Sequence, residues 1–289
     1  MPSRACEGFD GAMTSGETGT AAMVAETGVE PIGIGSMPLA KGPEIPMPCG
    51  VEPWDASEYL TNEEALEILS GRDSGVKPEL SRRGYRFAKR VFDVVASAAA
   101  IVVLLIPGLV IGAAICVKSP GAGPIYSQWR MGRVGRDGTY RAFRMYKFRS
   151  MVPHADEMLA ELQGSNEASG PMFKMRDDPR VIPGVGQFMR KHSIDELPQL
   201  INVFKGDMGL IGPRPGLPRE VALYDGRAVR RLTVKPGCGG AWQTSGRSDV
   251  GFECMVELDL NYIENRSLLH DARLILRTVK VVLSGRGAR

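Results

Sequence analysis

The sequence is poor in the residues that build covalent or metal-stapled folds. Its 289 residues include five cysteines and three histidines. Cys6, Cys49, Cys116, Cys238 and Cys254 are odd in number and share no CxxC spacing, which argues against a disulfide framework or a zinc site. Isolated thiols suit a reducing compartment. His154, His192 and His270 are too scattered to suggest a histidine metal centre. No apolar stretch follows Met1, so no signal peptide is expected there. Low complexity, collagen-like repeats and sustained heptads are also missing. With 43% hydrophobic and 24% charged residues the chain has an ordinary globular balance and length enough for a sizeable core.

Charge of one sign is scarce only in the total, which is +3. Residues 1–80 hold four basic and fourteen acidic side chains, net −10, leaving +13 on the rest. Residues 1–50 are rich in Gly, Glu, Thr, Met and Pro without hydrophobic period, and read as a disordered acidic tail. Asn62–Leu69 has the spacing of a short helix, taken as a transient element of that tail, which is expected to end at residue 80.

One long hydrophobic run is present. Val91–Val117 is almost continuously apolar, and at ~1.5 Å per residue it could cross a ~30 Å hydrocarbon core. Pro107-Gly108 lies just past its middle, where proline removes a backbone donor. Both flanks are basic: Arg82, Arg83, Arg86, Lys89 and Arg90 before it, Lys118, Arg130, Arg133 and Arg136 after it. Positive charge is retained on the cytoplasmic side. Residues 81–118 are therefore expected to enter the membrane, break at Pro107 and return. A straight span and a buried core helix are the alternatives.

Residues 119–289 are expected to form a cytoplasmic domain. Pro124–Met131 and Thr139–Phe148 read as two strands around the Asp137-Gly138 turn. Periodicity predicts helices over His154–Leu162, Asp249–Asn265 and Ser267–Leu283. The last carries Arg273, Arg277 and Lys280, which suits a helix lying on an anionic membrane or, equally, a packed helix with solvated arginines. The fold expected is α+β: a mainly helical monotopic membrane protein with a small β-hairpin and amphipathic interfacial helices.

Chemistry concentrates around Ser193-Ile194-Asp195-Glu196-Leu197-Pro198. Ser193 and Glu196 match a capping box, but Pro198 would then fall inside the helix. A helix starting at Pro198 leaves Asp195 and Glu196 ahead of its positive end, where a carboxylate stays ionised as nucleophile or metal ligand. Gly212-Pro213-Arg214-Pro215 is a stiff bracket presenting one arginine, either a rigid loop or a phosphate clamp. Arg180 and Arg190 lie within sixteen residues upstream of the dyad as further phosphate ligands. Asp259 falls on an apolar helix face, as the partner of an arginine or as a site acid.

Together these stretches form a pattern. KRVFDVVAS (89–97), QWRMG (128–132), KFRSM (147–151), DDPR (177–180), RKHSIDELPQLINVFKGDMGLIGPRP (190–215), KPG (235–237), WQTSGR (242–247) and LDLNY (258–262) resemble, in order and spacing, the bacterial sugar transferases, monotopic polyprenol-phosphate phosphoglycosyl transferases. The resemblance implies transfer of a sugar phosphate from a UDP-sugar to undecaprenyl phosphate, with release of UMP, to start exopolysaccharide, capsule or other glycoconjugate assembly. The sugar expected is a hexose, galactose or glucose. By the same resemblance Asp195 is the nucleophile that forms a phosphosugar-aspartyl intermediate, and Glu196, with Asp195, helps to hold Mg²⁺. Arg190 is a phosphate ligand, and Pro213-Arg214-Pro215 lies near the uridine. Asp259 is the acid of the LDxxY motif, and Lys147, Arg149 and Arg180 are carried as further substrate ligands. The resemblance implies a re-entrant helix broken at Pro107, placed in the bacterial inner membrane with the catalytic domain on the cytoplasmic face. Membrane lipids are then partners, nucleic acid is not, and a homo-oligomer is left open.

Two departures stand out. Ile106 replaces a serine that often precedes the proline, and PGCGGAWQ has Gly239 where threonine is common. Residues 1–80 contain no four-helix membrane segment of the kind larger members carry, so a short form is expected. A membrane-bound nucleotide-sugar hydrolase and a non-catalytic scaffold for glycan assembly are the competing readings.

Overall fold

The structure, a computed structural model, describes residues 60–284 apart from 160, 163–164, 166–174, 176 and 245–250. The acidic stretch 1–59 lies outside the described residues, as does most of the WQTSGR motif beyond Thr244. What is described is mainly helical, with two small two-stranded sheets.

Helix α1 (Asn62–Leu69) starts at Thr61, whose hydroxyl accepts from the Glu64 amide while Glu64 reaches back to the Thr61 amide. It is not a loose tail element. Leu69 is buried with Met131, Val134, Val221 and Leu232. The chain after it stays attached: Tyr140 donates to the Arg72 carbonyl, and Glu79 to that of Thr233. The tail boundary expected at residue 80 is thus too late, because Leu69 finds its apolar partners more than sixty residues downstream.

Helix α2 (Arg83–Lys118) contains the apolar run, with Pro107 inside it and helical backbone on both sides. Only Asp93, Ser97, Gly112 and Ile115 are buried. The outward face is apolar: Val102, Val103 and Ile106 are each more than 70% exposed. Both ends are fastened to the same body. Near the start, Arg90 donates to the carbonyls of Val203 and Phe204, and the Leu210 amide donates to Asp93. Lys89 pairs with Asp271, which also accepts from Tyr85 and Tyr262. Near the finish, Arg149 donates to the hydroxyl and carbonyl of Ser119 and to the carbonyls of Ala122 and Gly123.

Strands β1 (Ile125–Met131) and β2 (Ala142–Phe148) form the expected antiparallel hairpin, from Ile125 opposite Phe148 to Met131 opposite Ala142. Gly138 turns at φ 95°, a conformation that glycine takes without steric cost. Phe143 and Met145 share a face of β2 and pack with Val203 and Met208. The period of two places Lys147 on that face as well. Where a helix is expected over His154–Leu162, the described residues form a 3₁₀ turn, Glu157–Leu159, after His154 at φ 63°, and residue 160 lies outside the described residues.

Helix α3 (Val185–Lys191) leads into a 3₁₀ turn, Ile194–Glu196, and then α4 (Gln199–Lys205), whose N-cap is Pro198. Strands β3 (Gly209–Ile211) and β4 (Gly237–Gly239) pair in parallel. They approach so closely that a Cβ on Gly237 would lie 2.0 Å from the Gly212 amide nitrogen. Short helices α5 (Pro218–Ala222), α6 (Gly226–Val229) and α7 (Ala241–Thr244) intervene. The C-terminal pair α8 (Phe252–Asn265) and α9 (Leu268–Ser284) agrees with the periodicity to within a few residues.

Candidate active site

The dyad is built by two elements that meet edge to helix. Asn202, fully buried in α4, donates through Nδ2 to the Arg144 carbonyl and accepts at Oδ1 from the Tyr146 amide. It thereby satisfies the free edge of β2 and fixes that strand's register on α4. Lys147 follows directly, with Nζ 3.0 Å from Glu196 Oε1 and 3.7 Å from Asp195 Oδ2. Ser193 turns the chain in the left-handed region at φ 53° and makes no side-chain cap, so the capping-box reading is not what this segment adopts.

Asp195 is buried and Glu196 is the more exposed of the two. Burial pushes the Asp195 carboxyl above the ordinary range, and Glu196 pushes it the same way. Lys147 and Arg190 pull it back. The net direction is upward, so burial outweighs the two cations. The dyad lies in a cleft of about 730 Å³ whose walls include Lys147, Arg149, Arg180, Arg190, Arg214, Arg130 and Arg219. An anionic ligand with several phosphate oxygens fits such a lining.

The structure divides the candidates. Asp195, Glu196, Lys147, Arg149, Arg180, Arg190 and Arg214 line one cleft. Arg149 does so while its donors hold the end of α2, and Arg180 while its guanidinium grips Asp178 at 2.6 and 2.8 Å. Arg214 pairs with the buried Glu220 at 2.8 Å, which aims the bracket's arginine. Burial alone would raise Glu220, but Arg214 and Arg130 outweigh it and keep its carboxyl below the usual range. Pro213 and Pro215 line a separate small cavity behind the cleft. Asp259 is not among the cleft walls. Arg231 holds it through Nη2 at 2.8 Å and Nε at 2.9 Å, both side chains almost wholly buried. Pro107 lies on α2, away from these groups.

Among the residues that escaped the sequence reading are Asn202, Glu220, Arg231 and the cleft arginine Arg219. Asn202 shows itself only through Arg144 and Tyr146, more than fifty residues away, whereas Glu220 has its partner Arg214 six residues upstream. An asparagine amid LINVF was the one local signal for Asn202.

A family model described as bacterial sugar transferase matches residues 84–285. The chain belongs to the bacterial sugar transferase family. Galactosyl transferase CpsE of Streptococcus agalactiae is 46% identical over 204 residues, 70% of this chain and 43% of the relative. Undecaprenyl-phosphate galactose phosphotransferase of Salmonella typhimurium is 42% identical over 218 residues, 74% of this chain and 44% of the relative. Exopolysaccharide production protein ExoY of Sinorhizobium fredii is 39% identical over 210 residues, covering 70% of this chain and 88% of the relative. The chain spans less than half the length of the first two. Within this bacterial sugar transferase the dyad, its lysine and the arginine walls all fall inside the matched residues.

The Arg231–Asp259 pair makes a separable prediction. Arg231→Met leaves Asp259 buried without its cation and should cost about 3–5 kcal/mol of stability. Adding Asp259→Leu should restore most of that loss. Chemical unfolding in detergent measures both. An Arg231→Met chain of unchanged stability would return Asp259 to the list of site acids.

Proposed function

We propose that this chain transfers a hexose 1-phosphate from a UDP-hexose to undecaprenyl phosphate and releases UMP. The observation that carries the reading is the Asp195–Glu196 dyad bridged by Lys147, in a cation-walled cleft beside a long, outward-facing apolar helix. The relatives named as galactosyl and galactose-phosphate transferases favour galactose as the hexose.

The chemistry follows from charge. An Asp195 carboxylate oxygen attacks the phosphorus that bears the sugar. The oxygen–phosphorus bond forms, the diphosphate bridge breaks, and the electron pair leaves on UMP. A phosphate oxygen of the polyprenol phosphate then attacks the same phosphorus and frees the carboxylate. Splitting one displacement into two suits a cleft that holds donor and acceptor in turn. Arg190 and Arg214 would bind and orient the diphosphate. Lys147 draws the attacking carboxyl down against burial and Glu196, which together still hold it above its ordinary range.

The donor set fits Mg²⁺. Two carboxylates offer hard oxygen ligands, and among the described residues no third Asp, Glu, His or Cys joins them. Mg²⁺ is commonly held by one or two carboxylates, with waters and substrate phosphates completing its shell. Glu196 and Asp195 would hold it, and when bound it offsets negative charge on the diphosphate.

The helix reading belongs to the same proposal. A straight crossing would carry the two ends of α2 to opposite faces, yet Arg90 and Ser119 both bond to one body rich in charged groups. A re-entrant path, bent where Pro107 removes a donor, keeps that body out of the hydrocarbon. With the basic flanks retained on the cytoplasmic side, such a path would put the cleft on the cytoplasmic face of a bacterial inner membrane, level with the acceptor's phosphate.

Asp195→Asn should lower UMP release by about 10³-fold or more, while the protein still inserts. Glu196→Gln should lose most activity and recover part of it at high Mg²⁺. Substantial turnover in Asp195→Asn would sink the assignment. For topology, Gly84→Cys and Gly123→Cys, in a chain with its native cysteines replaced, should be labelled by a membrane-impermeant reagent from the same side. Labelling from opposite sides would establish a span.

A further inference from the structure

A second cavity, of about 220 Å³, lies at the N-terminal end of α2 and shares no lining residue with the dyad cleft. Arg86, Arg90, Arg133 and Lys235 line it together with Glu79 and Asp93. The two acids already have cations: Arg266 is 3.8 Å from Glu79, and Lys89 is 3.7 Å from Asp93. Among the described residues the four cations have no carboxylate within ion-pair distance. Arg86 donates to the Leu80 carbonyl and Arg90 to those of Val203 and Phe204, all neutral acceptors. Arg133 and Lys235 make no ion pair among the described residues.

The consequence is mutual repulsion in a half-buried place. Burial, then Arg90 and Arg133, push the Lys235 ammonium below its ordinary range, with Asp93 and Asp207 opposing more weakly. Burial, then Arg86, Arg136 and Arg141, push Arg133 the same way. Gathered cations around a small cavity are stabilised when an anion enters. Two guanidinium forks and an ammonium suit a phosphate.

Position selects the source of that phosphate. The cavity is walled by the turns of α2 from Tyr85 to Asp93, where the exposed apolar side chains Val91, Phe92 and Val95 begin. If α2 enters the membrane there, the cavity lies at headgroup height, where anionic lipids concentrate. Lys235 belongs to the KPG motif, which the dyad cleft does not use.

We propose that Arg86, Arg133 and Lys235 form a site for the phosphate headgroup of an anionic phospholipid, separate from the catalytic cleft. This rests on the reading of α2 as a membrane helix and not on the transfer chemistry. The site would fix the height and tilt of the helix at the membrane surface by a specific lipid contact.

The test uses the full chain in neutral detergent, titrated with short-chain phosphatidylglycerol, short-chain phosphatidylcholine or inorganic phosphate. Native mass spectra give stoichiometry and affinity, and thermal unfolding gives the stabilisation. Wild type should bind one phosphatidylglycerol saturably, and bind phosphatidylcholine and inorganic phosphate about tenfold more weakly or worse. Arg133→Gln with Lys235→Gln should weaken phosphatidylglycerol about tenfold or more, whereas Arg273→Gln on α9 should not. Without lipid, Lys235→Gln alone should unfold at a higher temperature than wild type, because a repelling charge is gone. A merely structural lysine would give the opposite shift. UMP release within about twofold of wild type in detergent shows that the variants are folded. Equal binding of both lipids, or unchanged binding in the double variant, overturns the site. Inorganic phosphate binding as tightly as phosphatidylglycerol overturns the lipid assignment.

Discussion

A buried carboxylate beside a second one is pushed toward its neutral form, and Lys147 is the nearest cation that opposes this at Asp195. Its ammonium reaches Glu196 and Asp195 together. Much of the fold can be understood as what holds this lysine in register. Asn202 binds the edge of β2 to α4, and Phe143 and Met145 seat the same strand face on Val203 and Met208. Two residues past Lys147, Arg149 gathers the carbonyls at the end of α2. One strand thus ties the Asp195–Glu196 dyad to the long apolar helix α2.

For the proposed transfer, that tie matters because the donor is soluble and the acceptor is not. An acceptor phosphate at a membrane surface can be reached only by a cleft held at that height. Helix α2 offers its apolar face outward and its polar anchors inward, at both ends. Asp93, Lys89, Asp271 and the tyrosines Tyr85 and Tyr262 form one polar cluster at its start. A helix so fastened positions the cleft without a flexible tether.

Much of this was legible in the sequence, for reasons that differ by element. The hairpin was readable because its strands alternate around an Asp-Gly turn. Helices α8 and α9 were readable because their apolar stripes are long. Asn62–Leu69 was read correctly as a helix and wrongly as part of a tail, since the partners of Leu69 lie far downstream. Periodicity over 154–162 suggested a helix where the described residues form only a 3₁₀ turn, Glu157–Leu159. At the site, local physics left the dyad open between cap and chemistry, and left Asp259 open between ion pair and acid. For the first, the structure rules out the cap, since Ser193 makes no cap hydrogen bond, and the chemistry of the dyad is proposed from the family's motifs. The second needed Arg231, twenty-eight residues upstream. Asn202 acts through partners more than fifty residues away and had almost no local signature, while Glu220 acts through Arg214, six residues upstream.

The central claim is that Asp195 carries the sugar phosphate between donor and acceptor. It is tested most directly by the intact mass of wild type incubated with UDP-galactose and Mg²⁺ in the absence of any polyprenol phosphate. The account predicts release of at most about one UMP per chain and an added hexose phosphate that maps to Asp195. No adduct, an adduct on another residue, or UMP release only when donor and acceptor are both bound would contradict it.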